Sequence, residues 1–361
     1  MTDRLVCAVM AGGSGTRFWP VSRRDRPKQL LSLLDDRSLL RATCERIAPI
    51  CPPARQLIIT NQRLVDATRA ELPDLAPGHV LGEPAARNTA PCMALAAIAA
   101  LQLDPQAVLA LLPADHYIAQ PERFQAALAL ATAQAEAGWI VTLGISPTHP
   151  ETGFGYIELA DEVDGAAGVF AVRRFVEKPD LQTATAYLMG GQHLWNGGVF
   201  VVRADVALAA VAAHLPAVDQ ALAPLRQGQS GPFTGEAFVG KLAEVFPACP
   251  SISIDYGIME HRSDLRAVAL DAGWSDVGSW RSLLDQREPQ QTNFQRGDVL
   301  AVDCADSVLV SQDGITLTAV GLRDMAVVAT ADAVLAVPLD RSQDVRQIVE
   351  ALTRAGRDRL L

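Results

Sequence analysis

Short apolar runs alternate with longer segments rich in alanine and leucine through about the first 280 residues. The short runs are bounded by polar and glycine-containing turns and predict buried strands, whereas the longer segments repeat apolar residues at helical spacing. The predicted strands are residues 6–10, 56–60, 108–112, 139–143, 169–175 and 198–202. The predicted helices are residues 38–48, 62–72, 90–101, 122–137, 204–213 and 236–245. This alternation predicts an α/β fold with a Rossmann-like, mostly parallel sheet flanked by helices.

The pattern changes after Gln290. Residues 297–339 hold short runs of Val, Leu and Ala that are broken by Asp, Gly and Ser, and they show no helical period. One amphipathic helix is predicted at residues 342–353. We therefore predict two domains, a large α/β domain over residues 1–290 and a small, β-rich, short β-helix-like domain over residues 291–361 that ends in a helix.

Composition argues against several classes of protein. The net charge of −10 disfavours a nucleic-acid partner, because such proteins carry a basic face that neutralises phosphates. No apolar stretch approaches the roughly 20 residues of a membrane span, and the first residues lack the features of a signal peptide. We therefore expect no membrane partner and a cytoplasmic location. The six cysteines are scattered without a C-x-x-C pair, which predicts buried free thiols.

A glycine-rich segment follows the first predicted strand directly. It comprises Ala11, Gly12, Gly13, Ser14, Gly15, Thr16 and Arg17. Closely spaced glycines let backbone N–H groups approach phosphate oxygens, so this segment predicts an anion cradle. It is not a Walker loop, since no Gly-Lys-Ser/Thr follows, and Phe18 stands where a dinucleotide fingerprint needs its third glycine. A glycine-rich turn without a ligand is the alternative.

Positive charge is concentrated beside this cradle. From Arg17 to Lys28 the chain carries five cations and one acid, Asp25. Only three of the 31 Lys and Arg residues are lysines. The presence of lysine instead of arginine at positions 28 and 178 therefore suggests a specific role for these two side chains. An ammonium group can approach a single phosphate oxygen where a planar guanidinium group does not fit. The segment therefore suits a small anionic substrate.

Two aspartates are candidate metal ligands. Asp115 follows the carboxyl end of a predicted strand, where ligands bind in open α/β sheets, and Asp276 lies far along the chain in Ser275-Asp276-Val277-Gly278. Magnesium prefers oxygen ligands and is usually held by one or two carboxylates together with substrate phosphates. The alternative is that each aspartate only caps a helix.

Other segments carry the mixture of polar groups that a polyhydroxylated ligand requires. The backbone at Gly155 can be approached closely, Glu177 can accept hydrogen bonds from hydroxyl groups, and Lys178 can meet a phosphate. Asn196 offers both a donor and an acceptor. A solvated charge pair at a turn is the alternative for Glu177 and Lys178.

Residues 82–91 precede an alanine-rich helix and contain two polar groups of interest. Glu83 offers a carboxylate that can accept hydrogen bonds. Asn88 is equally well explained as the N-cap of the following helix.

These segments, in this order, resemble the sugar nucleotidyltransferases, and residues 82–91 and 253–260 resemble the mannose-1-phosphate guanylyltransferase branch. The resemblance implies that residues 11–17, Lys28, Glu83, Asn88 and Asp115 bind the nucleotide. It implies that Arg17, Lys28, Asp115 and Asp276 are catalytic and that both aspartates hold Mg²⁺. It further implies a sugar-phosphate site at Gly155, Glu177, Lys178, Asn196 and Asp255.

The implied reaction transfers GMP from GTP to mannose 1-phosphate and yields GDP-mannose and pyrophosphate, by in-line attack of the sugar phosphate on the α-phosphorus. The same chemistry on another nucleotide or hexose 1-phosphate, and a non-catalytic nucleotide-sugar binding protein, are the alternatives. A dehydrogenase is disfavoured by Phe18. The chain is expected to be the short form without an isomerase domain, and its C-terminal domain is a candidate for forming a homodimer.

Overall fold

The computed structural model describes residues 3–13, 15–226, 233 and 235–361. Within these ranges the strands are β1 Leu5–Ala11, β2 Gln56–Asn61, β3 Val80–Glu83, β4 Val108–Pro113, β5 Tyr117–Ile118, β6 Ile140–Ile145, β7 Gly155–Glu162, β8 Val169–Glu177, β9 His193–Arg203, β10 Leu265–Leu270, β11 Trp274–Ser275, β12 Phe294–Arg296, β13 Val299–Val302, β14 Val308–Ser311, β15 Leu317–Val320, β16 Met325–Ala329 and β17 Val334–Pro338. The α-helices are α1 Leu39–Ile47, α2 Val65–Glu71, α3 Thr89–Leu103, α4 Pro121–Glu136, α5 Leu181–Gly190, α6 Ala204–His214, α7 Pro216–Leu222, α8 Glu236–Val245, α9 Ile254–Gly257, α10 Trp280–Leu284 and α11 Val345–Arg354.

The chain forms two compact units. Residues up to 12, 44–114 and 118–274 make the first unit, and residues 13–43, 115–117 and 275–361 make the second. The glycine-rich segment is therefore divided between Gly12 and Gly13. The domain boundary near residue 290 that the sequence suggests stays a prediction.

A nine-stranded sheet in the order β3-β2-β1-β4-β9-β6-β10-β8-β7 organises the described part of the first unit. β1, β2, β3 and β4 are mutually parallel neighbours, as the alternation of strands and helices predicts. β9 runs antiparallel to both β4 and β6, and β7 runs antiparallel to β8. The α/β fold class is confirmed, and the sheet is mixed where a mostly parallel one was expected.

The connection between β7 and β8 explains part of this difference. Only residues 163–168 separate the two strands, whereas a parallel pair needs a crossover of a dozen or more residues. β7 begins at a glycine and loses its apolar character toward Glu162, so the sequence pattern did not reveal it as a strand. β3 and β10 were missed as well, because each is a short run without clear alternation.

Small side chains let the helices of the first unit pack closely. Residues 90–100 of α3 are all buried, and most of them are alanine. A helix that is apolar on all sides belongs inside a core rather than on a surface. This helix lies in one hydrophobic cluster with the buried residues of β1, β4 and α6.

The second unit contains short, stacked strands after residue 290. Val308 of β14 pairs in parallel with Phe294 of β12 and with Ala326 of β16, while β13 and β15 form a separate parallel pair. β17 closes the four-stranded sheet in antiparallel orientation. This arrangement confirms the β-rich, β-helix-like C-terminal region.

Buried side chains between residues 18 and 39 belong to the core of the same unit. Phe18 and Trp280 are fully buried, and their rings meet edge to face at 5.0 Å between centroids. The indole Nε1 of Trp280 donates to the backbone oxygen of Trp19 at 3.2 Å. The glycine-rich segment is thus followed directly by residues that are fixed in a hydrophobic core.

Across the part of the chain that the structure describes, the helices are all too short or too polar to cross a bilayer.

Replacing Trp280 with Ala should lower the free energy of unfolding by about 3–5 kcal/mol, because a large buried ring and its hydrogen bond are lost together. Urea unfolding followed by circular dichroism measures this change. Ile348→Ala, at a position with 41% exposure, is the control and should change stability by less than about 1 kcal/mol. Equal effects of the two substitutions would contradict the central place given to Trp280.

Candidate functional site

Lys28 brings two distant stretches of the second unit together. Its ammonium Nζ donates to Asp115 Oδ2 at 2.7 Å and to the backbone oxygen of Asp276 at 2.7 Å. The Lys28 side chain retains only 8% of its exposure, whereas that of Asp115 retains 37%. A buried ammonium needs such partners, because leaving it unpaired in a core is costly. Three of the four predicted catalytic residues therefore meet at one point.

The two aspartates differ in acidity. Burial raises the pKa of Asp115, but the charges of Lys28 and His116 and the hydrogen bond from Lys28 lower it by more, so its pKa lies below the usual value. For Asp276, burial raises the pKa and Lys28 opposes this, while the charge of Asp115 raises it further, so its pKa lies above the usual value. One lysine does not balance two carboxylates, and further positive charge would favour ionisation of both.

The turn that carries Asp276 is strained. Val277 has φ = 45°, a conformation that is an outlier for a β-branched residue, and its side chain is fully buried. Asp276 Oδ1 accepts a hydrogen bond from the backbone N–H of Gly278 at 3.1 Å. The hydrophobic packing of Val277 holds this conformation in place, and such strain is concentrated at functional sites.

Neither aspartate caps a helix. α10 begins at Trp280 with Ser279 as its N-cap, and a capping box links Ser279 with Ser282. α4 begins at Pro121 with Gln120 at the N-cap position. The helix-cap alternative is therefore wrong for Asp276 and for Asp115.

Gly15 is required by the close approach of Lys28. It has φ = 59°, and a Cβ atom there would lie 2.4 Å from Lys28 Cβ and 2.6 Å from Lys28 N. Arg17 follows in a short 3₁₀ turn, and its Nη1 donates to the backbone oxygen of Gly278 at 3.3 Å. Arg17 and Lys28 therefore both contact the loop that carries Asp276.

Other residues of the glycine-rich segment are less constrained. Ala11 ends β1, and its backbone oxygen accepts from Thr60 Oγ1 at 3.0 Å. Gly13 is exposed, and Thr16 begins the 3₁₀ turn. Ser14 lies outside the described residues. The nucleotide contacts expected for this segment stay predictions.

Glu83 ends β3 in the first unit and is 9% exposed. Its Oε1 is buried and has no hydrogen-bond partner among the residues described. Burial raises the pKa of Glu83 to about 7, against a lowering effect of a hydrogen bond with Cys92. If Gly12 carried a Cβ atom, that atom would lie 3.5 Å from Glu83 Oε2, so the carboxyl group lies beside Gly12 in the glycine-rich segment. An unsatisfied buried acceptor of this kind is a recognised sign of a ligand or catalytic role.

Asn88 has the backbone conformation of a strained helix cap. Its φ of 65° and ψ of −171° lie in a region that is normally restricted to glycine. The side-chain oxygen accepts from the N–H of Thr89 at 2.8 Å. The geometry matches the N-cap alternative, and this oxygen is already used by the helix.

The predicted sugar-side residues also meet within the first unit. Asn196 Nδ2 donates to Asp255 Oδ1 at 2.9 Å, and Asn196 Oδ1 accepts from Thr142 Oγ1 at 3.0 Å. Burial and the charge of Glu177 raise the pKa of Asp255 to about 6. These contacts fix the orientation of the Asn196 amide.

Glu177 lies beside Gly155, where a Cβ atom would approach Glu177 Oε2 to 2.5 Å. Glu177 Oε1 is 2.9 Å from Lys178 Nζ, and the Lys178 side chain keeps 54% of its exposure. This pair raises the pKa of Lys178. Lys178 has φ = 48°, so this ion pair lies on a strained turn.

Sequence reasoning missed several neighbours of these groups. Phe154 packs edge to face against Trp195 at 5.3 Å and Trp274 at 5.5 Å between ring centroids. Glu260 Oε1 accepts from the N–H of Glu177 at 3.1 Å. Trp195 and Glu260 lie within segments that the family resemblance had already marked, but contacts between segments cannot be deduced from spacing.

Positive φ angles give an independent indication of functional segments within each unit. Among the described residues, seven non-glycine residues have positive φ, of which four are aspartates after residue 300. Aspartate tolerates this conformation. The other three are Asn88, Lys178 and Val277, and each lies in a segment that was singled out for function.

A family model for nucleotidyl transferases matches residues 7–293, and a second one, for the MannoseP isomerase/GMP-like beta-helix domain, matches residues 297–352. The chain therefore belongs to the nucleotidyl transferase family.

Several relatives carry a more particular name. The mannose-1-phosphate guanylyltransferase ManC of Salmonella typhimurium is 41% identical over 98% of this chain and 74% of its own length. The mannose-1-phosphate guanylyltransferase of Escherichia coli K12 is 39% identical over 98% of this chain and 75% of its own. The xanthan biosynthesis protein XanB of Xanthomonas campestris is 42% identical over 97% and 73%.

A solved structure shares the fold closely. It is described as a mannose-1-phosphate geranyltransferase from Thermus thermophilus and superimposes with a TM-score of 0.87 at 36% identity, covering 97% of this chain and 99% of that one. The resemblance to mannose-1-phosphate guanylyltransferases that the sequence motifs indicated is thereby confirmed.

Glu83 should make stability depend on pH. Its folded pKa of about 7 lies above the ordinary value of 4.5, so the protonated form is favoured by folding. This contribution is complete below pH 4.5 and is lost as the pH rises through 7, by about 3 kcal/mol at most. Glu83→Gln should therefore gain stability relative to the unsubstituted chain between pH 4.5 and pH 8 in urea unfolding. A stability difference between Glu83→Gln and the unsubstituted chain that does not change with pH would refute the assignment.

Gly15→Ala should weaken triphosphate binding by tenfold or more, because the new Cβ atom must displace Lys28. Gly138→Ala is the matched control, since Gly138 also has positive φ, 98°, but a Cβ atom added there would meet nothing within 4 Å. Both substitutions should cost about 1 kcal/mol or more of stability through the backbone. Calorimetric titration with inorganic tripolyphosphate distinguishes them, and equal affinities would argue against the crowding explanation.

Proposed function

We propose that this chain transfers GMP from GTP to α-D-mannose 1-phosphate and releases GDP-mannose and pyrophosphate. The meeting of Lys28, Asp115 and Asp276 is the observation that carries this proposal. It combines a cation for phosphates with oxygen donors for a metal ion. The mannose-1-phosphate guanylyltransferases to which the chain is similar support the choice of substrates.

The reaction joins two anions, so positive charge has to lower their repulsion. An oxygen of mannose 1-phosphate attacks the α-phosphorus in line, and the bond from that phosphorus to the bridging oxygen of the β-phosphate breaks. Pyrophosphate leaves with this oxygen and its electron pair. We assign Arg17 and Lys28 to the triphosphate, where fixed cations stabilise the charge that develops in the transition state.

Enzymes of this type generally use a divalent metal ion, and we propose Mg²⁺ held by Asp115 and Asp276. The donor set fits, because the two aspartates offer carboxylate oxygens, which Mg²⁺ prefers. Lys28 holds the two aspartate-bearing segments beside each other, because its ammonium group bonds to Asp115 Oδ2 and to the backbone oxygen of Asp276. When bound, the ion neutralises phosphate charge and orients the attacking and leaving groups.

We assign recognition of guanine to Glu83. A guanine ring offers the N1–H and amino hydrogens that an unsatisfied carboxyl group can accept, whereas thymine and uracil lack the amino group. Rejection of a base that leaves a buried polar group unpaired can be strong. The unpartnered Oε1 of Glu83 supports this role.

We assign recognition of the sugar phosphate to Gly155, Glu177, Lys178, Asn196 and Asp255. The carboxylates and the amide can bond to sugar hydroxyl groups, and the exposed ammonium of Lys178 can meet the phosphate. Gly155 lets the Glu177 carboxylate pack against the backbone, since a Cβ atom there would lie 2.5 Å from Glu177 Oε2.

A cytoplasmic location is part of the proposal. The six cysteines lie within the described ranges and are free thiols, as is usual in a reducing compartment. Dimer formation by the C-terminal domain stays a prediction that light scattering can test.

A panel of four nucleoside triphosphates and several hexose 1-phosphates, with pyrophosphate release as the readout, tests the function directly. GTP with mannose 1-phosphate should give the highest kcat/KM. A preference for UTP or dTTP would overturn the assignment of Glu83. Tight binding of GDP-mannose without turnover, with magnesium present, would instead indicate a binding protein.

Asp276→Asn should reduce kcat by about two orders of magnitude or more while leaving the protein folded, because a carboxylate ligand of the metal is lost. Asp271→Asn is the control, since the Asp271 side chain is 91% exposed. Steady-state pyrophosphate release and thermal unfolding measure both effects. Near-normal turnover of Asp276→Asn would remove this residue from the metal site.

A further inference from the structure

The proposed chemistry leaves Trp19 and the arginine-rich stretch that follows it without a role. Trp19 is 7% exposed. Its indole Nε1 donates to the backbone oxygen of Leu360 at 2.8 Å, across 341 positions in sequence. Arg23 donates to Asp332 at 2.8 Å, and Arg24 is 3.5 Å from Asp358. Arg23 and Arg24 therefore contact the C-terminal part of their own unit.

The C-terminal segment, Asp358–Leu361, is packed and not free. Leu360 and Leu361 are 7% and 9% exposed, although they end the chain. Residues 358–360 form a 3₁₀ turn, and the N–H of Leu361 bonds to the oxygen of Asp358 at 3.1 Å. Burial of two leucines and a hydrogen bond from a buried indole require this segment to hold one position.

Trp19 connects that segment to the phosphate-binding cations. It follows the 3₁₀ turn that contains Arg17 and Phe18. Its backbone oxygen accepts from Trp280, whose ring packs against Phe18. The ammonium of Lys28 lies 5.9 Å from the centroid of Phe18, within range of a cation–π contact.

We propose that the C-terminal segment, Asp358–Leu361, positions Arg17 and Lys28 for the triphosphate through the Trp19–Leu360 hydrogen bond. The inference rests on the proposed function, because it concerns the cations that the function assigns to the nucleotide. Trp19 is a positioning residue here, since it touches the neighbours of the cations and not the substrate. Misplacement of catalytic groups by about 1 Å can lower the rate about 100-fold.

The test compares Trp19→Phe, Leu360→Ala and the double substitution. Trp19→Phe removes the indole N–H but keeps an aromatic ring, and Leu360→Ala loosens the segment that carries the acceptor. Each single variant should weaken binding of inorganic tripolyphosphate, measured by calorimetry, by about five- to tenfold. The affinity of the double variant for tripolyphosphate should lie within about twofold of that of the weaker-binding single variant, because both substitutions act on one contact.

In steady-state turnover, KM for GTP should rise in each variant, while KM for mannose 1-phosphate should stay within about twofold.

Trp139→Phe is the matched control for the aromatic change, and Ile348→Ala is the control for the C-terminal region. Neither should alter the affinity for tripolyphosphate. Unchanged affinity in both single variants, multiplicative losses in the double variant, or equal increases in KM for both substrates would overturn the proposal. If Trp19→Phe does not fold, the tripolyphosphate affinity and the two KM values of Leu360→Ala test the proposal.

Failure of the proposed function gives a different result. A chain that binds tripolyphosphate but releases no pyrophosphate from any substrate pair refutes the reaction. The binding series still decides whether the C-terminal segment positions the cations.

Discussion

The second unit depends on one buried ammonium group. Lys28 joins Asp115 to the backbone of Asp276, and so ties together three stretches of chain that are far apart in sequence. A buried cation of this kind is stable only when hydrogen-bonding partners are held around it. The glycine at position 15, the strained turn at Val277 and the aromatic core around Trp280 all serve to hold those partners. The proposed function assigns the same group to the triphosphate.

The surroundings of Asp276 illustrate how a core supports a strained site. Val277 adopts an unfavourable backbone conformation, and its fully buried side chain belongs to the cluster that also contains Phe18, Trp280 and the strands β14 and β16. Packing of this cluster offsets the local strain. The β-rich C-terminal strands thus contribute to the core beneath the Asp276 turn, which gives them a structural role apart from any assembly function.

The sequence predicted the larger elements well. Long helices and apolar strands such as α3 and β4 have a strong local signal, because their periodicity and composition agree. β8 was predicted as residues 169–175, whereas its hairpin partner β7 was missed because it mixes polar and apolar residues. Asn88 caps α3, which was one of the two interpretations of this residue. Asp115 and Asp276 do not cap helices, because Gln120 and Ser279 occupy the N-cap positions of α4 and α10.

The sequence by itself determined which chemical groups are present: a glycine-rich turn, an unusual lysine and two aspartates in segments that resemble a known family. Those properties are local, so residue type and spacing are sufficient to find them. Only the tertiary structure decided that Lys28 bridges both aspartate-bearing segments, that Glu83 lacks a partner for one oxygen among the described residues, and that Trp19 bonds to Leu360. Such contacts join residues tens to hundreds of positions apart, and burial and packing of the whole chain, which no local pattern encodes, bring them within bonding distance.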